Sequence, residues 1–214
     1  MADTLTQLIA KVQPQLLDNG TLFTAATCTA AARQALRELN ARVPENATVT
    51  IATIAGQKEY ELTDNDAAAL DVLSIYLEGS NEFDTAIPYD AYVEDSRVFF
   101  RLRDALPAGK TMQVHYTKPH TISGLDGSLD STLPDPLNVA IINGICAYAC
   151  QIRAAATIES NNVQTNVSQS WAKCYNAWHN LFAGQLKEYR NQRTVVGEPS
   201  AAAWNDPQHS DEYP

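Results

Sequence analysis

The side chains with the widest chemical reach are few in this chain. Histidines stand at His115, His120, His179 and His209, and cysteines at Cys28, Cys146, Cys150 and Cys174. A metal site shared by the histidines would need three distant segments to converge, so they are read as surface or packing residues. The cysteines make no CxxC pair, and a metal site on them would need ligands from elsewhere. Cys146 and Cys150 are four apart and fit one helix face. Reduced core thiols are the reading adopted for the cysteines. No cofactor is expected.

Motifs for catalysis are missing as well. There is no P-loop, no GxGxxG after a strand, no HExxH and no GxSxG. The run from Asp126 to Asp130 resembles the start of a calcium loop. It lacks the sixth-position glycine and carries Leu137 where a glutamate would close the site. A turn in a polar loop fits it better. The acids of NEFD and YVED form no visible pair and read as a solvated acidic face. The chain is not expected to be an enzyme. The rival would be a hydrolase using acids of the central segment, recognisable by a cleft of converging carboxylates.

Three arginines, Arg97, Arg101 and Arg103, surround one strand. Arg101 and Arg103 share a face opposite Phe100 and Leu102. Intersubunit salt bridges within an oligomer are the functional reading, and solvated arginines the plain one. A phosphate grip is disfavoured by composition. The chain of 214 residues carries 15 basic and 25 acidic side chains, a net charge of -10. Such a surface binds nucleic acid or anionic lipid poorly. It still permits a protein that surrounds DNA without gripping it. No segment approaches the roughly 20 uninterrupted apolar residues of a membrane span. The opening MADTLTQLIAKVQPQLLDNG has neither a basic leader nor a long apolar core and is not expected to be a signal peptide.

The elements that must position these residues follow from hydrophobic period. A short helix runs from Asp3 to about Val12, with Leu5, Leu8, Ile9 and Val12 on one face and Pro14 ending it. A second runs from Thr24 to about Arg42, striped by Ala32, Leu36, Leu39 and Val43. Period two then takes over. Val49, Ile51 and Thr53 alternate, and a turn at Ala55-Gly56 suggests a hairpin into QKEYEL. DVLSIYLEG, SRVFFRLRD and KTMQVHYTK read as further strands of one small, mostly antiparallel sheet with one buried face. PYDAYVED reads as a short helix or turn. A loop of 17 residues, Lys118 to Pro134, exceeds the usual connection length and is expected to be functional, mobile or both.

Helical period returns from Asp135 to about Glu159, where Leu137, Ile141, Ile145, Tyr148 and Ile152 form one stripe. The last helix spans Thr165 to about Arg190, lined by Val167, Trp171, Tyr175, Trp178, Phe182 and Tyr189. The closing stretch, 191–214, holds three prolines and reads as an extended arm, with Trp204 and Tyr213 suited to docking on a partner. The fold class is therefore α+β. Residues 1–44 and 135–190 form a helical bundle, 45–134 an inserted β domain with its long loop, and 191–214 the arm. Net charge divides the same way: +1, -9, +1 and -3 along the four consecutive segments.

The ordered series of these elements resembles the head-to-tail connector, or adaptor, proteins of tailed bacteriophages. The resemblance is carried by TQLIAKVQPQLLDNGTLFTAATCTAAARQALRELNARVP, then KEYEL, DVLSIYLEG and SRVFFRLRDALPAGKTMQVHYTKPH. STLPDPLNVAIINGICAYACQIRAA and SQSWAKCYNAWHNLFAGQLKEYR complete it, over about residues 3–190. It implies a ring of about twelve copies below the portal protein, continuing the DNA channel and docking later neck or tail proteins. The chain would be a monomer in the host cytoplasm and join the virion at the head–tail junction. DNA would pass without specific binding, and no membrane is involved.

Carried onto this chain, the resemblance gives Leu36, Leu39, Ile141, Ile145, Tyr148, Trp171, Tyr175 and Trp178 to the bundle core. Phe100, Val114 and Tyr116 go to the inserted sheet. The loop, with His120, Asp126 and Asp130, faces the channel or the next component, and Arg97, Arg101 and Arg103 face neighbouring subunits. Val195, Val196, Trp204 and Tyr213 become anchors of a portal-docking arm. The alternatives are another neck or tail-completion protein, or a ligand-binding α+β module with a pocket between bundle and sheet.

Overall fold

A computed structural model describes residues 3–18, 20–62, 69–77, 87–95, 97–159 and 165–195. The chain is α+β, with helices before and after a strand-rich segment, and it divides into two compact units. One unit holds α1 (Leu5–Gln15), α2 (Ala25–Arg42), α3 (Asp135–Glu159) and α4 (Thr165–Val195). The other holds β1 (Glu45–Ala52), β2 (Glu59–Leu62), β3 (Asp71–Leu77), β4 (Tyr89–Glu94), β5 (Arg97–Leu102) and β6 (Thr111–Lys118).

The helices begin where local chemistry starts them. Thr4 caps α1 in a reciprocal box: the Gln7 amide donates to its hydroxyl at 3.4 Å, and its own amide donates to the Gln7 side chain at 2.8 Å. Thr24 caps α2 by accepting from the Thr27 amide. Pro14 does not end α1 at Val12. It sits in the last turn, which closes one residue later, because a proline there costs only the final hydrogen bonds. The α4 helix runs five residues past the expected Arg190.

Between α1 and α2 the turn is built on Asp18. Its carboxylate accepts the amides of Phe23 at 2.7 Å, Gly20 at 3.1 Å and Leu22 at 3.2 Å, and the Thr21 hydroxyl at 3.1 Å. Burial pushes this carboxyl upward, but the four hydrogen bonds outweigh it and hold it near 2, below the ordinary 3.8. A depressed carboxyl contributes stability above its unfolded pKa, and that stability is lost as pH falls through the folded one. Asp18→Asn is therefore expected to lower the denaturation midpoint at pH 7. The gap to the native chain should close between pH 4 and pH 2. An equal gap at both ends of a pH series would refute the assignment.

The helical core forms around α3, which packs against α1, α2 and α4. Leu8, Phe23, Leu39, Ile141, Ile145 and Phe182 are fully buried there. By length and composition α3 could cross a membrane, but more than half of its apolar window is buried by the other helices. The segment after β6 joins this core. Ile122, Leu125 and Leu133 are buried in it, and the Leu5 amide donates to the Ser123 carbonyl at 2.9 Å. The domain boundary thus falls at His120 rather than at 134. The three apolar side chains are the physical reason, since they have a helical core to enter.

Among the described residues, the strands form two three-stranded antiparallel sheets, not one: β1-β6-β3 and β2-β5-β4. β1 and β2 make no hairpin with each other. β1 pairs with β6, and β2 with β5. The PYDAYVED segment is an edge strand, β4, because Tyr89 through Glu94 pair along β5 from Leu102 to Arg97. The two sheets share a core of Tyr60, Ile75, Phe100, Leu102, Met112 and Val114. Thr53, one residue past β1, is buried, donating to the carbonyls of Pro107 and Lys110 and accepting the Lys110 amide.

Candidate functional site

Two exposed regions carry the residues singled out from sequence. The first is the outer face of the β2-β5-β4 sheet. Strand alternation buries Val98, Phe100 and Leu102 and turns Arg97, Phe99 and Arg101 outward. Arg97 meets Glu61 at 3.2 Å within the same chain. Arg101 stands in register with Asp90 on one side and Glu59 on the other. Arg103 is exposed just past the strand, and its carbonyl accepts from Lys58 at 2.7 Å.

Aromatics brace this face. Tyr92 stacks on Phe99 with centroids 5.5 Å apart and donates its hydroxyl to Glu59 at 2.6 Å. That hydrogen bond pushes the Tyr92 phenol up to about 12. Arg97 and Arg101 are therefore flanked by four acids: Glu59, Glu61, Asp90 and Glu94. With four acids to two arginines this face is net negative and not a phosphate grip. Nor is it a hydrolytic site, because Glu59 and Glu61 are engaged with neighbours on an open strand face. The NEFD acids lie outside the described residues.

The second region is the segment His120–Leu133. It combines tight local turns with hydrogen bonds and an ion pair to α2 and the start of the chain. Gly124 and Gly127 take left-handed turns, and so does Asp126 at φ 53°. The Thr132 amide donates to the Thr121 carbonyl, and the Ser131 hydroxyl donates to the Asp3 carbonyl at 2.7 Å. His120 is buried and shares a 3.2 Å hydrogen bond with Thr132. Asn40 of α2 grips its backbone twice, accepting its amide at 2.8 Å and donating to its carbonyl at 3.2 Å. A channel-facing His120 is inconsistent with that burial. Asp126 pairs with Arg33 of α2 at 2.6 Å, and Asp130 is exposed. Leu129 beside it is 88% exposed. The loop thus presents Asp126, Leu129 and Asp130 outward from a fixed frame.

The residues assigned to the bundle occupy graded positions. Leu39, Ile141 and Ile145 are fully buried, while Leu36, Tyr148, Trp171 and Trp178 pack against that core from its edge. Tyr175 is half-buried, 6.0 Å from the Tyr148 ring. Val195 is the last residue of α4 rather than part of an extended arm. Val196, Trp204 and Tyr213 lie outside the described residues. Two polar centres escaped sequence reasoning. Glu38 on α2 collects Tyr148, His179 and Arg42 from three helices. Its signal was a lone acid beside the apolar stripe of Leu36 and Leu39. The other, Asp18, was marked by the LLDNG turn.

An exposed concavity lies over the α1–α2 turn, lined by Ala10, Pro14, Leu17 and Leu22. Leu17 is 96% exposed and held at φ 52°. Among the described residues, no group of three or more His, Cys, Asp or Glu side chains is placed to hold a metal ion.

The exposed faces described are charged and held on rigid frames. Comparison with known families supplies the class. A model of the SU10 adaptor protein family matches residues 3–204, and the chain belongs to that family. It is a structural adaptor of the head-to-tail junction. Three solved structures are distant matches. The neck of an empty gene transfer agent (GTA) particle, computed with C6 symmetry, has 12% identity and a TM-score of 0.32, covering 79% of this chain and 89% of that one. The virion of a native GTA particle has 13% identity and a TM-score of 0.28, covering 69% and 77%. The neck of a native GTA particle, computed with C12 symmetry, has 15% identity and a TM-score of 0.29, covering 80% and 94%. No curated protein matches the chain. The assignment rests on the family match alone.

Proposed function

We propose that about twelve copies of this chain form a ring under the portal protein, extend the DNA channel and dock the next neck or tail component. The observation that carries the reading is the family match across residues 3–204. The charge pattern supports it. DNA must slide through the ring, and a net charge of -10 with in-chain partners for Arg97 leaves little grip on phosphate. The portal-docking element is the segment from Val196 onward, with Trp204 and Tyr213 as its anchors. The loop residues Asp126, Leu129 and Asp130 face the channel or the downstream component. Copies remain monomeric until the portal templates ring closure.

Native mass spectrometry of the chain, alone and mixed with portal complexes, tests this. The expected result is a monomer alone and about twelve copies on each portal. A chain ending at residue 195 should lose the complex. Undiminished binding by the shortened chain would remove the docking role of the last 19 residues. A stable dimer or tetramer indifferent to portal would overturn the ring.

A further inference from the structure

We propose that Cys150 and Cys174 are a redox pair, a cross-helix dithiol that closes to a disulfide and staples α3 to α4. The two helices run antiparallel here. Asn143 meets Gln185 at 2.8 Å, and one stretch further along α3 Cys150 meets Cys174, sulfur to sulfur, at 2.7 Å. A disulfide needs about 2.05 Å, so closure requires a sulfur shift well under 1 Å. Both residues are now free thiols.

The chain's other two cysteines make the pairing selective. Cys28 is fully buried and turned to the Phe23 carbonyl at 3.7 Å, and Cys146 is fully buried and turned to the Gln15 side chain at 3.6 Å. Cys174 alone among the four is half-exposed. It meets an oxidant first, and buried Cys150 resolves it. Burial raises the Cys150 thiol well above its ordinary value, so this sulfur is not an indiscriminate nucleophile.

The chemistry balances with a small-molecule disulfide such as oxidised glutathione. The Cys174 thiolate attacks it, forming a mixed disulfide and releasing one glutathione thiolate. Cys150 then attacks the Cys174 sulfur, its proton passing to the second glutathione sulfur, which leaves as a thiol. Two electrons pass from the cysteine pair to the glutathione disulfide, and two protons leave the cysteines. A reducing cytoplasm keeps the pair open during assembly, and an oxidising exterior closes it in a released particle. The pair's chemistry does not depend on the ring or the portal.

The test is a thiol count on the native, reduced chain before and after excess oxidised glutathione. We expect four titratable thiols in denaturant to fall to two, with peptide mapping joining Cys150 to Cys174. Thermal unfolding should shift up by about 5–10 °C and return with dithiothreitol. Cys174→Ser should keep all three of its remaining thiols under the same treatment. Cys150→Ser should stop at one glutathione on Cys174, a product no packing role explains. Four thiols persisting in the native chain would overturn the proposal. So would a cross-link through Cys28 or Cys146, or thiol loss in Cys174→Ser.

Discussion

Gly144→Val is expected to destabilise the helical unit by about 3 kcal/mol, read as a lower urea midpoint with unchanged slope. Glycine in mid-helix normally costs up to about 1 kcal/mol relative to alanine. Here the missing side chain is what lets three helices meet. A Cβ on Gly144 would lie 3.0 Å from the Cβ of Ala35 on α2 and 3.1 Å from two ring carbons of Phe182 on α4. The alanine Cβ is fixed to its backbone and has no rotamer to yield. The phenylalanine ring is fully buried. The helices themselves would have to separate, and valine adds two methyls to that demand. Gly184 is the internal control. Nothing lies within 4 Å of its virtual Cβ, so Gly184→Ala should stabilise by roughly 0.5–1 kcal/mol. Equal midpoints for Gly144→Val and the native chain would contradict the close approach.

These glycines mark where the sequence was legible and where it was not. Of the small residues along α3, Ala140, Gly144 and Ala147 are buried where other helices come close, while Ala155 is exposed. Helix spans were readable from caps and stripes, which are local. Strand pairing was not, because a strand's partner is set by packing far along the chain. Nothing in QKEYEL says that it pairs with Val98 through Arg101 instead of with the neighbouring β1. Tyr89 through Glu94 carry little apolar alternation, since an edge strand exposed along most of its length needs none. The loop read as polar, and as functional, mobile or both, because its glycines and acids outnumber Ile122, Leu125 and Leu133, yet those three decide its place. The exposed face of β5 was legible by alternation, but the acids facing Arg97 and Arg101 come from β2 and β4 and needed the register.

Glu38→Leu should cost about 2–4 kcal/mol, for a reason of the opposite kind: it removes a buried acceptor that three helices share. The Glu38 side chain is 14% exposed. It accepts the Tyr148 hydroxyl of α3 at 2.5 Å and contacts Nε2 of His179 on α4 at 3.1 Å. Arg42, one turn along α2, pairs with it at 2.5 Å. Burial, and then the hydrogen bond and charge of Glu38, push the Tyr148 phenol upward, so its proton stays on oxygen and continues to donate. Leucine fills similar volume but leaves the tyrosine hydroxyl and the imidazole facing a hydrocarbon. Glu38→Gln keeps an oxygen acceptor and should lose less. Tyr148→Phe removes the donor together with the need for it, so its loss should be smaller than that of Glu38→Leu. Combining Glu38→Leu with Tyr148→Phe should recover about 1–2 kcal/mol relative to the sum of the singles. Strict additivity in that cycle would show that the two groups do not act together. A positive coupling would show that the Glu38 carboxylate and the Tyr148 hydroxyl together tie α2 to α3.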